Sequence, residues 1–206
     1  YSGRDDIEPV YINKIFPADI LVIAGAIKDR YLSSRWKKFT DRGFFKTHQP
    51  IWKGKQVAYI ISGPANDCCS FRQIIHGFSQ VQEANLVDVV CDDNQDIDGL
   101  LHNLAEKSIK YSEANYIKPM TFLGVGGIKV FRDEIYSDLR FVFQGDHKYY
   151  SKNGMYDFPN RKIKVRLFNM IMMTLTKIPG MKDRIKKNMK YHMIKPLVNL
   201  PQEKKR

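Results

Sequence analysis

Apolar positions along the chain follow two alternating patterns. Residues 19–25, "DILVIAG", form a continuous apolar run bounded by polar residues, the mark of a strand buried on both faces. "GKQVAYIISGP", residues 54–64, is a second such strand, opened by Gly54 and closed by Ser62-Gly63-Pro64. "ANLVDVVCDD" is a third. Helical spacing fills the intervals. Residues 32–44 read as a helix, with Ser33 or Ser34 in its first turn and Gly43 at its end. Phe71, Ile74, Ile75 and Phe78 share one helical face, as do Ile97, Leu100, Leu101, Leu104 and Ile109. "DDIEPVYINKIF" has room for one short helix ahead of the first strand. Strand–helix repeats of this length predict a parallel sheet with helices on both faces.

After Pro119 the alternation stops. Residues 129–152 read as mostly helical, and residues 161–177 form a Met-rich helical run, "RKIKVRLFNMIMMTLTK". Pro179-Gly180 breaks that run, and a strongly basic last helix is predicted over 181–196. The pattern divides the chain into an α/β core, residues 1–119, and a helical basic extension, residues 120–206.

Composition narrows the picture. With 206 residues, 43% of them hydrophobic, the chain can bury a sizeable core. Lys and Arg number 34 against 22 Asp and Glu, a net charge of +12 that favours phosphate-bearing or otherwise anionic partners. Three cysteines, two of them adjacent (Cys68, Cys69 and Cys91), cannot close a disulfide framework and point to a reducing, cytoplasmic setting. Without a CxxC pair no metal site is expected. No apolar run approaches the roughly 20 residues that cross a bilayer. The chain begins at Tyr1 rather than Met, which reads as a fragment or a processed product.

Open parallel sheets bind ligands beyond the carboxyl ends of their strands. Two loops leave such ends here, residues 25–31 and 62–68, and both begin with small residues, Gly25-Ala26 and Ser62-Gly63. Small residues let a flat ligand approach the backbone, and each loop leads into a helix N-terminus. Taken alone, the same pattern also describes ordinary strand–helix turns.

A longer match sharpens the first loop. "ADILVIAG" is followed by Leu32-Ser33-Ser34 and then by Lys37, Phe39, Asp41 and Arg42 in K-x-F-x-D-R spacing, with "GKQVAYIISG" as the next strand. Over about residues 5–130 this resembles the flavodoxin-like NAD(P)H-dependent FMN reductases, a superfamily that includes iron–sulfur flavoproteins and quinone reductases. The resemblance implies a flavodoxin-like, doubly wound parallel sheet lacking its N-terminal part. The family's first strand, its phosphate loop and the cysteine cluster of its iron–sulfur members would precede residue 1. It also implies FMN as cofactor, NAD(P)H as electron donor and a small-molecule electron acceptor, with no side chain required as an acid–base catalyst.

By the same resemblance, Gly25, Ala26, Ile27, Lys28, Asp29, Arg30, Tyr31 and Leu32 would contact the flavin, and Ser62, Gly63 and Pro64 would lie at its other edge. Ala26 and Lys28 stand where the family usually has Pro and Tyr. Tyr31 would then supply the missing aromatic ring. Lys28, if it faces the ring, would favour a reduced, anionic flavin. Asp41 and Arg42 are expected to be structural or intersubunit.

Other stretches carry less. "LGVGG", residues 123–127, lacks GxGxxG spacing and reads as a helix entrance. His147 beside Asp146 is a proton-donor candidate against the commoner role of a hydrogen-bonded surface histidine. Cys68-Cys69 at a helix start are expected to be small buried residues rather than reactive thiols. Residues 161–195 mix Met, Leu, Ile and Phe with Lys and Arg. They suit either peripheral contact with an anionic membrane or a homo-oligomer contact with a solvated basic rim, the commoner arrangement. The rival to the enzyme is a non-catalytic electron-transfer or binding module docked through this tail. No nucleic-acid recognition motif is present.

Overall fold

The computed structural model describes residues 7–27, 31–46, 48–157, 159, 162–185 and 187–188. The chain divides into two compact units, residues 1–131 and 132–206. The first unit is built on three strands, β1 (Ile20–Ala26), β2 (Gln56–Ser62) and β3 (Asn85–Cys91), all parallel and side by side in chain order. Each lies where the apolar runs predict it, but β1 is an edge strand with one open face, Val22 being 58% exposed and Ala24 exposed as well, which corrects the expectation that it is buried on both faces. Short helical turns, α1 (Ile7–Val10) and a wider turn at Tyr11–Ile15, precede β1.

Alternation along β2 sorts its side chains to two faces. Val57, Tyr59 and Ile61 join Ile23, Phe71 and Ile75 on one face, and Ala58 and Ile60 join Val87, Val90 and Leu104 on the other. Helix α3 (Cys69–Val81) packs on the first face, and α4 (Ile97–Glu113) on the second. Strand β3 breaks simple alternation. Val57 pairs with Leu86 but Tyr59 with Val89, so β3 carries one extra residue there. The bulge lets Leu86 and Val89, three apart, face the same helix, and it turns Asp88 outward to Lys107 at 3.3 Å.

Helix α2 (Ser34–Arg42) is shorter than the predicted 32–44, because the chain tightens into a 3-10 turn over Gly43–Lys46. Phe39 of the KxFxDR stretch stacks on Tyr11, ring centroids 5.4 Å apart, and meets Trp36 edge-on at 5.5 Å. Lys37 Nζ pairs with Asp41 Oδ1 at 2.5 Å on the exposed side. The motif therefore works locally: one ring seats the helix, and one exposed i,i+4 pair adds about 0.3–0.5 kcal/mol.

Short helices α5 (Phe122–Gly124) and α6 (Val130–Ser137) flank a wide helical turn over Val125–Lys129, so "LGVGG" lies within helical structure, as its reading as a helix entrance expects. Gln80 of α3 caps the start of α5. Its Oε1 accepts from the Thr121 and Gly124 backbone N–H groups at 2.9 and 3.1 Å. This tie places residues 120–131, grouped with the extension on sequence pattern, among the contacts of the first unit.

The second unit contains α7 (Gln144–Lys152) and α8 (Ile163–Leu175). Its interior is unusually polar: Arg132, Asp133, Asp146 and Asn169 are buried beside Ile135 and Tyr150. The Arg132 and Arg140 guanidinium groups lie over the Tyr150 and Tyr136 rings at 5.4 and 4.5 Å. The predicted helix over 181–196 lies largely outside the described residues.

Candidate functional site

The carboxyl ends of the three strands bring three loops together. β1 leaves through Ile27, whose N–H donates to the Ser62 carbonyl at 2.9 Å. Ile27 also bridges back to Leu32. Gly63 has φ +106°, a backbone conformation that L side chains rarely adopt, so this turn needs glycine. The Gly63 N–H donates to Asp92 Oδ1 at 2.7 Å. Ser62 also bonds the Asp92 carboxylate, and these two donors hold its pKa below the usual range. Asn66 Nδ2 donates to Asp93 Oδ1 and Asn94 Oδ1, both at 3.0 Å, and Arg72 holds Asn66 in turn. The second and third loops are thus stitched to each other by side chains.

The predicted flavin-contacting residues separate by role. Ala26, Ile27, Tyr31, Ser62, Gly63 and Pro64 gather around this edge, with Ser62 and Pro64 exposed. Tyr31 is half-buried and meets Phe71 edge-on at 5.8 Å, and burial raises its hydroxyl pKa. Leu32 is buried in the core and serves packing. A Cβ on Gly25 would lie 2.5 Å from Trp36 Nε1, so the small residue there makes room for an indole. Lys28, Asp29 and Arg30 lie outside the described residues. Asp92 was not among the sequence candidates. The signal was present, since "CDDN" leaves the carboxyl end of a third buried run just as the other two loops do.

The site is an exposed shelf. Beneath it lies a void of about 20 Å³ lined by Ile23, Tyr31, Leu32 and Trp36. A cavity of about 510 Å³ lies at the opposite, amino-terminal end of the strands, between Tyr11, Phe44, His48, Phe78 and Gln82. It is mostly apolar, and His48 packs there between Phe44 and Phe131 at 4.9 and 4.7 Å.

The thiols and His147 resolve differently from one another. Cys69 is exposed and Cys68 half-buried, which corrects the expectation that both are buried. Burial, aided by Asp93, pushes the Cys91 thiol up to about 11, so it stays protonated at neutral pH. In the second unit, Tyr156 Oη and His147 Nδ1 are 2.7 Å apart. Burial first, and then Arg140, lowers the His147 pKa to about 4. His147 is therefore neutral near pH 7 and not a charged proton donor. Its stabilising effect is full above the unfolded value of about 6.5 and disappears as pH falls through about 4. Because the ring is partly solvated, the loss expected is only about 1–2 kcal/mol. Thermal melts between pH 7 and 4 should show this slope, and His147→Phe should flatten it. An equal slope in the variant would assign the effect to other groups. Among the described residues no group of His, Cys, Asp and Glu side chains is placed to hold a metal ion. No protein-family model matches the chain, and no curated protein matches it significantly.

Proposed function

We propose that the chain is an FMN-dependent oxidoreductase that passes electrons from NAD(P)H to a quinone, a flavin or another small acceptor. The observation that carries this reading is the meeting of three strand-exit loops at one edge of a parallel sheet, joined by the Ile27–Ser62 and Gly63–Asp92 hydrogen bonds. A flavodoxin-like, doubly wound core with a basic C-terminal extension belongs to the same proposal. The parallel order β1-β2-β3, with helices on both faces of β2 and β3, is compatible with it.

The residues at this edge fit one rim of a flat ring. Ser62 and Pro64 are exposed, Ala26 adds no bulk, and Tyr31 offers an apolar edge braced by Phe71. Asp92 adds acceptor oxygens of the kind an imide N–H needs. A bound flavin would supply the hydride and electron chemistry. The chain's own residues would hold and orient the ring, and the Asp92 carboxylate would oppose negative charge gained on reduction.

Titrating the protein with FMN is expected to give a yellow complex with quenched flavin fluorescence. Asp92→Asn keeps an acceptor for Gly63 but removes the charge, so the flavin midpoint potential should rise. A tenfold easier reduction corresponds to roughly 30 mV for a two-electron couple. A spectrum and emission identical to free FMN at saturating protein would overturn the reading. A flavin complex that NAD(P)H cannot reduce would instead favour an electron-transfer module.

A further inference from the structure

Helix α8 presents two apolar faces, although only one is used inside its unit. Asn169 is fully buried, and its side-chain N–H group donates to the carbonyls of Ser137 and Val165. Val165, Met172 and Met173 are half-buried on that side. At 100° per residue, Ile163, Leu167, Met170 and Ile171 fall within a sector about 100° wide on the other side, with Thr174 the one polar residue among them, its hydroxyl turned back to the Met170 carbonyl at 3.0 Å. They are 82%, 52%, 60% and 50% exposed. Ile178, just beyond the helix, is also exposed.

The border of this stripe is cationic on both flanks. Lys164 projects from one side of the sector and Arg166 from the other, both exposed. From residue 158 to 182 the sequence has Arg161, Lys162, Lys164, Arg166, Lys177 and Lys182, and no Asp or Glu. An apolar stripe between two basic rims, without a carboxylate, is the pattern of a helix lying in the plane of an anionic bilayer. With 13 residues, α8 is about 20 Å long, too short to cross a hydrocarbon core of about 30 Å.

We propose that α8 is a peripheral docking surface for anionic lipid, with Ile163, Leu167, Met170 and Ile171 entering the headgroup–acyl boundary and Lys164 and Arg166 engaging lipid phosphates. A second copy of the chain is the poorer occupant. A self-complementary pairing of this stripe would bring two rims of the same sign together with no acid between them.

The test uses the full chain and sedimentation with large unilamellar vesicles, either of phosphatidylcholine alone or with one quarter phosphatidylglycerol. Binding is expected to the anionic vesicles and to weaken as NaCl is raised. Lys164→Ala with Arg166→Ala should lower the partition coefficient about 10- to 30-fold, since each surface cation contributes roughly fivefold. Leu167→Asn with Ile171→Asn should lower it at least tenfold, with unchanged far-UV circular dichroism because both side chains face out. No binding to anionic vesicles, equal binding to both vesicle types, or undiminished binding by the double Asn variant would each overturn the proposal. So would a chain that self-associates in sedimentation equilibrium and becomes monomeric in that same variant, which would assign the stripe to a second copy.

Discussion

Replacing Phe71 by Ala is expected to destabilise the first unit by about 3–5 kcal/mol, measured as the shift in a urea unfolding midpoint at constant slope. Phe71 is completely buried in the first turns of α3, within the cluster formed by Val57, Tyr59 and Ile61. Its removal costs the transfer free energy of the ring and opens a cavity that β2 cannot collapse into, because the strand is held on both sides. Against a typical total of 5–15 kcal/mol this is a large fraction. Ile74, three residues on, is 48% exposed, and Ile74→Ala should cost well under half as much. Comparable losses from the two variants would mean that α3 is not seated by this face. Phe71 also braces Tyr31 edge-on at 5.8 Å, so a milder variant, Phe71→Leu, should weaken FMN binding while leaving the fold largely intact.

The second large effect is polar. Gln56 and Asn85 are each 1% exposed at the amino ends of β2 and β3. Asn85 Nδ2 donates to Gln56 Oε1 at 2.6 Å, and Gln56 Nε2 donates to the Tyr116 carbonyl at 2.9 Å. The Lys118 N–H donates to Asn85 Oδ1 at 3.3 Å. Asn85→Leu would strand the buried Gln56 Oε1 acceptor, at about 1–3 kcal/mol, while the Lys118 N–H, on an exposed residue, can turn to water, so a loss of about 1–3 kcal/mol is expected. In a double-mutant cycle, Gln56→Leu with Asn85→Leu should cost less than the sum of the single variants, because each removes a partner the other would miss. Strict additivity would show that the two amides act independently. The network joins the strands to the exit of α4, so hydrogen exchange at Tyr116 and Lys118 should quicken in Asn85→Leu.

Local pattern alone determined the three strands, the helices α3 and α4, and their alternation. The runs that became β2 and β3 are buried on both faces, whereas β1 carries the same apolar pattern at the sheet edge and leaves Val22 and Ala24 exposed; each helical stripe needs one face to cover. The two loops at the carboxyl ends followed from chain direction in a parallel sheet. Tertiary structure decided the rest. The bulge that turns Asp88 outward depends on how β3 pairs with β2, and no spacing in "NLVDVVC" marks it. Gly25 looked like an opening for ligand, yet Trp36 of the following helix fills that space. Leu32 belongs to the loop in sequence and to the core in space. Asp92 joined the site only because parallel register sets it beside Gly63, twenty-nine positions earlier in the chain. The polar interior of the second unit was equally hidden. Nothing in the local pattern marks Arg132, Asp133 and Asp146 for burial, and the Tyr150 ring under Arg132 comes from a different helix, α7. A residue's hydrophobicity predicts whether it can be buried, while its partners, fixed by long-range packing, decide whether a charged one must be.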